Sequence, residues 1–560
     1  MKQFQKYGVA AAVASVAGGA FAAGELARHS TTETGDLAII PYYTVLGGKN
    51  TGMHIINTTD STQVVKVRLR RGADSKDALD FNLVMSPRDE WTANITAGGS
   101  TGVKVNTNDT TCTVPAFPAG GAQMPDTYAT GATEGYVEII AMGQPSAETS
   151  HLAVLAKHQA TTGMPFSCDL VRNNFYRVAA AKVGTDTVKG VHTSNTLNSG
   201  YCTKANVTST NALCLTTAQN LTTMVDADDQ ALKVSFFITD SDGGLEAGDN
   251  AVHVRAFADA PMMTNQQPLS FGTAGIMQFD PLNFELPNLA YGAYLSTVPA
   301  RQTGADASIT NGSLFDGVKE ALQADALVND WAAFETAAGT VAADWVVTLP
   351  GQYTMNNPVC DLYSSYSLAA TACNTTALSN STAARDGDEL PLILASSSTS
   401  NPLAGGSSSN LQLWDREETN LNPASTPGSS DLGFSPGGSA GDPTQTATLN
   451  REVNVISWNE GSVLGTADLQ TEPLGLGVVV EVPANDRGWA ELRISGKASA
   501  GTFNLNGQTD DADVQPMVGS GSTQTVVGTI APPALSGQQV AAVGFAIWER
   551  QFTGQAGNYG

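Results

Sequence analysis

Apolar and polar residues alternate with a period of two along much of this chain. Val64 to Arg71 (VVKVRLRR) sets Val65, Val67 and Leu69 on one side and Lys66, Arg68 and Arg70 on the other. That pattern predicts a half-buried strand with a basic outer face, because successive side chains of a strand point to opposite sides. Similar short runs follow at 136–141, 152–156, 232–239 and 252–257, and again at 345–349, 453–458, 478–482, 489–494 and 540–548. Gly, Asn, Asp, Pro and Ser separate them. Many short strands joined by turn-rich connections predict a mainly β protein built of β-sandwich or jelly-roll-like sheets. One segment breaks the pattern. Ser313 to Phe334 carries a Ser313/Asp316 capping-box spacing and places Phe315, Val318 and Leu322 on one helical face, so it predicts one long helix.

Composition refines the organisation. The chain has 560 residues, 56 Gly and 25 Pro, and it should hold more than one core. Residues 1–22 read as a secretory signal peptide. Lys2 and Lys6 precede a short apolar run, and Ala20-Phe21-Ala22 is a small-residue cleavage site. Residues 23–300 read as a disulfide-containing β domain and 301–395 as a helix and strand segment. Residues 396–447 read as a Ser/Gly/Pro-rich loop or linker, since such sequence buries too little surface to offset its ordering entropy. Residues 448–560 read as a C-terminal β segment. Within the Ser/Gly/Pro stretch, residues 411–418 (LQLWDREE) are expected to dock. The six cysteines, all beyond the leader, are expected to pair in an oxidising compartment as Cys112–Cys168, Cys202–Cys214 and Cys360–Cys373.

Charge excludes some functions. Only 14% of residues are charged, and the formal net charge is −25. Such a field repels polyanions, which argues against nucleic-acid binding. Beyond the leader, no run of about 18 apolar residues offers a transmembrane helix.

Searching for chemistry leaves few candidates. No HExxH, CxxC or phosphate-binding loop occurs. GxSxG occurs at 98–102 and 437–441, but neither copy follows a strand and opens a helix as a nucleophile elbow requires. The histidines have no joint metal spacing. The acidic turn Asp240, Asp242, Glu246 and Asp249 offers hard oxygens suited to Ca²⁺, against the plainer reading of solvated turn chemistry. It is not an EF-hand, because the twelfth position is Ala251. Clusters at 226–229, 386–389 and 510–513 are similar. Glu417, Glu418, Glu481 and Asp486 lie near Trp414 and Trp489 in sequence, which leaves open a carbohydrate site or paired hydrolytic carboxylates, against tryptophans that simply pack a core.

Several stretches, PYYT at 41–44, LVMSPRDEWT at 83–92, GYVEII at 135–140, DWVVTLP at 344–350, WDREE at 414–418 and EVNVI at 452–456, together resemble a loosely described group of exported surface proteins of Gram-negative bacteria. The resemblance implies export and assigns no catalytic residue. These features predict a non-enzymatic protein exported to the cell surface or extracellular space, or kept in the periplasm. Its expected role is structural or adhesive, S-layer-like and calcium-stabilised, with self-association or a surface component as partner. A monomeric carbohydrate- or ligand-binding module is the alternative, and a secreted hydrolase a further one.

Overall fold

The computed structural model describes, with short gaps, residues 27–173, 221–262, 317–350, 411–417, 451–493 and 540–552, plus a few short segments elsewhere. Its architecture is mainly β. Among the described residues, three large sheets are layered. The first runs in the order Val252–Arg255, Leu37–Thr44, Glu134–Pro145, Gln63–Arg71, Asp77–Met85, Cys112–Val114, with shorter strands at its margins. The second runs Leu245–Asn250, Leu232–Asp240, Lys49–Asn57, Glu90–Ala97, Val103–Asn106, Ala122–Gln123. In the third, Gly339–Thr348 is paired along its length with Val543–Phe552. Its other edge meets first Ala326–Thr336 and then Val453–Trp458.

The first and second sheets enclose one core. Val65, Val67, Leu69, Phe81, Val137 and Ile139 from the first meet Met53, Ile55, Trp91, Ile95, Val234 and Phe236 from the second. Trp91 lies against Phe81 at 5.6 Å. His253 links the two sheets, its Nε2 accepting from the Val234 amide at 2.9 Å. Burial holds that imidazole down at about 4, so it is neutral near pH 7.

The far face of the first sheet is also covered. At one end, Leu37, Ile39, Tyr42, Tyr136 and Ile140 pack with Val346, Val453, Val455, Val543 and Ile547 of the third sheet. At the other end, Val64, Val84 and Met142 pack under two short helices, His151–Ala156 and Cys168–Asn173. The disulfide Cys112–Cys168 ties the second helix to the sheet margin. The remaining four cysteines lie outside the described residues, as does the 1–22 leader.

Three expectations from the pattern fail here. Residues 152–156 form a helix, not a strand. Ser150 caps it through the Ala153 amide, and Leu152, Leu155 and Ala156 share its buried face. The long helix at 313–334 does not form. Among the described residues of this stretch, helical backbone is confined to residues 317, 318 and 320–322, and Ala326–Thr336 is a strand that pairs over eight residues with Asp486–Arg493. Long-range ladder bonds and burial of Trp331 there outweigh local helix propensity. Val318 and Leu322 are still buried together, as their helical spacing required.

The third failure is the basic face of Gln63–Arg71. Lys66, Arg68 and Arg70 are not solvated; all three are fully buried between the helices and the third sheet. Asp80 meets Lys66 at 2.5 Å and Arg68 at 3.4 Å. Arg70 meets Glu138 at 3.2 Å and also donates to the Ser75 carbonyl at 3.1 Å. Asp80, Arg68 and Glu138 stand directly opposite one another on three adjacent strands. The alternation was legible; what it faces was not, because that depends on the third sheet and the helices arriving from elsewhere in the chain.

Candidate functional site

Two places combine chemistry with geometry. The first is a clasp between the first and third sheets. Glu134 opens its strand of the first sheet and Asp344 sits mid-strand in the third. The turn 462–466 lies between them. Thr466 Oγ1 donates to Glu134 Oε1 at 2.7 Å, and the Tyr42 hydroxyl donates to the same oxygen. From the other side, Ser462 Oγ and the Leu464 amide donate to Asp344 Oδ2 at 2.9 and 2.8 Å. Val463 and Leu464 of this turn fill the inter-sheet core. Nearby, Thr348 Oγ1 donates to the Pro41 carbonyl at 2.6 Å, and the Val453 amide to the Gly72 carbonyl at 2.9 Å.

Burial raises both carboxyls despite these donors. Glu134 is pushed up to about 7, with the Tyr42 and Thr466 hydrogen bonds and the charge of Lys49 pulling the other way and Asp344 adding to the rise. Asp344 is pushed up to about 6, its backbone and Ser462 donors opposing and Glu549 adding. Lys49 itself lies 3.8 Å from Asp240.

The second place is an aromatic face at the margin of the third sheet. Leu411–Asp415 does dock, pairing with Asp486–Arg493 so that Trp414 stands opposite Trp489. Their rings stack at 3.9 Å and 8°. The ladder alternation separates two faces. Leu413, Ala490, Leu492 and Trp331 point into a core with Trp345, Trp458, Val478 and Val480. Trp414, Arg487, Trp489, Glu491, Val328 and Asp330 take the other side. Trp489 is 37% exposed and Val328 54%. Asp330 is directly opposite Trp489 on the next strand, and Arg487 lies 5.3 Å over the Phe334 ring. Gly488 is required here, since a Cβ would lie 1.8 Å from the Trp414 carbonyl oxygen. Arg416 and Glu417 are exposed beyond the strand, and the Glu417 amide donates to Asp415 Oδ1 at 2.9 Å. Asp486 opens its strand opposite Ala333. Glu418 and Glu481 lie outside the described residues.

The proposed calcium residues sit on a hairpin. Leu232–Asp240 pairs with Leu245–Asn250, Asp240 facing Leu245, Thr239 facing Glu246, and Phe236 facing Asp249. This register puts Glu246 on the opposite side of the ribbon from Asp240 and Asp249 and separates those two by four residues, about 13 Å. Asp242 lies outside the described residues. Among the described residues no group of three or more His, Cys, Asp or Glu side chains is placed to hold a metal ion. Spacing along the chain brought these acids near one another; strand alternation spreads Asp240, Glu246 and Asp249.

Gly98, Gly99 and Gly102 of the first GxSxG lie between the paired strands Glu90–Ala97 and Val103–Asn106, and its Ser100 and Thr101 lie outside the described residues. The Gly98 amide donates to the Gly102 carbonyl at 3.0 Å, and Gly99 and Gly102 have positive φ. The SPRDEW stretch is a turn: Asp89 Oδ2 accepts from the Ser86 amide at 3.0 Å. His158 braces that turn from outside, with Nδ1 3.1 Å from Ser86 Oγ and Nε2 3.1 Å from Thr110 Oγ1. Sequence spacing gave no sign of the Glu134–Asp344 clasp, whose members lie in separate strands. No helix among the described residues is long and apolar enough to cross a membrane. No family model, no curated protein and no solved structure matches the chain.

Proposed function

We propose that this is an exported bacterial surface protein with an adhesive, non-enzymatic role, in which the layered β body serves as a rigid mount for the aromatic face of the third sheet. The single observation carrying the reading is the Trp414–Trp489 stack on a solvent-facing side of a sheet whose other side is a packed tryptophan core. A large aromatic side chain left partly in water forgoes burial worth about 1.5–3 kcal/mol. Clustered aromatic exposure of this kind suits a contact surface. Export is supported by the signal-like leader and by the Cys112–Cys168 disulfide, which belongs to an oxidising compartment.

The test is cell fractionation with surface labelling of the native protein, followed by whole-cell attachment assays comparing wild type with Trp489→Ala. Surface labelling together with reduced attachment of the variant is the expected result. Retention in the cytoplasm would remove the proposal. Calcium-stabilised self-assembly is the alternative form of the surface reading. Large particles in millimolar Ca²⁺ that disperse in chelator would favour it over an adhesive monomer.

A further inference from the structure

We infer that the aromatic face takes a neutral pyranose polysaccharide; this rests on the adhesive reading and gives it a ligand class. The argument begins with shape. Two stacked indoles offer flat, electron-rich surfaces, and the axial C–H faces of a pyranose are flat, apolar and slightly positive, so the two pack without desolvating a charge. Hydroxyl recognition needs polar groups within one ring's width. Asp330 is one strand from Trp489, about 4.8 Å across the sheet. Arg487 and Glu491 are two residues to either side of it on its own strand, about 6.6 Å along. All three share the face of the indole. An acceptor–donor–acceptor set around a flat apolar centre matches the rim of hydroxyls around a sugar ring.

The same spacing disfavours a protein partner. Interface cores are depleted of charge, and a standard protein interface buries about 800 Å² on each side. Here charged side chains stand one step from the indoles in three directions. Local charge then selects among glycans. With Asp330 and Glu491 beside the indole, a chain of net charge −25 repels uronate- and sulfate-bearing polymers. An uncharged polysaccharide meets no such barrier.

The experiment is affinity electrophoresis of the full chain through gels containing dextran, mannan or galactomannan, with alginate as the acidic probe. Retardation by at least one neutral polymer is expected, with none by alginate. Trp489→Ala should weaken it by at least about tenfold, while Trp489→Phe stays within about threefold. Asp330→Asn with Glu491→Gln should weaken it without disturbing the stack. Folding of each variant is checked by the blue-shifted emission of the buried Trp331–Trp345–Trp458 cluster. Failure of all three neutral polymers to retard the folded wild type overturns the inference. So does retardation by alginate, or retardation that survives both Trp489→Ala and Trp414→Ala. If Trp489→Ala cells lose attachment while no neutral polymer binds, the ligand class falls and the adhesive reading stands. If a polymer binds but the protein is not at the surface, the site stands and the location falls.

Discussion

Replacing Glu134 by Gln tests the clasp between the sheets. In the fold, the Glu134 carboxyl is buried against Tyr42 and Thr466 and is pushed from 4.5 to about 7. At about 1.4 kcal/mol per pH unit, this corresponds to about 3 kcal/mol of preference for the protonated form. The sign follows from linkage. A carboxyl raised by folding binds its proton more tightly in the folded than the unfolded chain, so its contribution is fully present below about 4.5 and is lost as pH rises through about 7. Glutamine keeps the shape and never ionises, so the variant should lack this loss. Urea unfolding followed by tryptophan fluorescence at pH 4.5, 6 and 8 gives the comparison. Relative to wild type, Glu134→Gln should gain on the order of 3 kcal/mol between the lowest and highest pH. Hydrogen exchange of residues 462–466 should slow in step, because that turn hangs between Glu134 and Asp344. The same pH dependence in variant and wild type would refute the reasoning. So would a variant that loses stability as pH rises relative to wild type, since the carboxylate would then be the form the fold prefers.

Other expectations follow from the same geometry. Asp344→Asn should flatten the pH dependence in the same direction, over a window ending near pH 6, and the double variant should be non-additive because the two carboxyls repel; thermal melts across pH check this. Asp80→Ala removes the carboxylate that both Lys66 and Arg68 meet in the interior and should cost about 3–5 kcal/mol, read from the urea midpoint. Gly488→Ala should push the Trp414 strand away and abolish the coupled tryptophan signal in near-ultraviolet circular dichroism while the buried Trp331–Trp458 pair persists. Cys112→Ser should lower stability by about 2–5 kcal/mol and speed hydrogen exchange in the two short helices first, since that bond ties the second of them to the sheet.

The aromatic site was half legible. Trp414 and Trp489 were singled out beside acidic residues, but 74 positions separate them, and only pairing of the two strands stacks the rings. The clasp was not legible at all, because Glu134, Asp344 and Thr466 carry no local motif. The acidic turn at 240–249 shows the converse. It looked like a cluster in sequence, and hairpin alternation sets Glu246 on the opposite face from Asp240 and Asp249.

By itself the sequence determined the fold class and placed strands such as Gln63–Arg71, Glu134–Pro145, Leu232–Asp240 and Val453–Trp458, because period-two alternation and turn residues act over a few positions; it did not mark Leu37–Thr44, Lys49–Asn57 or Asp77–Met85. It also determined that Val65, Val67 and Leu69 share a side, and that Val318 and Leu322 do. Tertiary structure alone decided which sides meet water. Lys66, Arg68 and Arg70 became interior because another sheet and two helices close over them, with Asp80 and Glu138 supplied by neighbouring strands. Ala326–Thr336 became a strand because Asp486–Arg493, distant in the chain, offered it a full ladder. Local pattern fixes which residues lie together on an element; solvent exposure and charge pairing are properties of what packs against it.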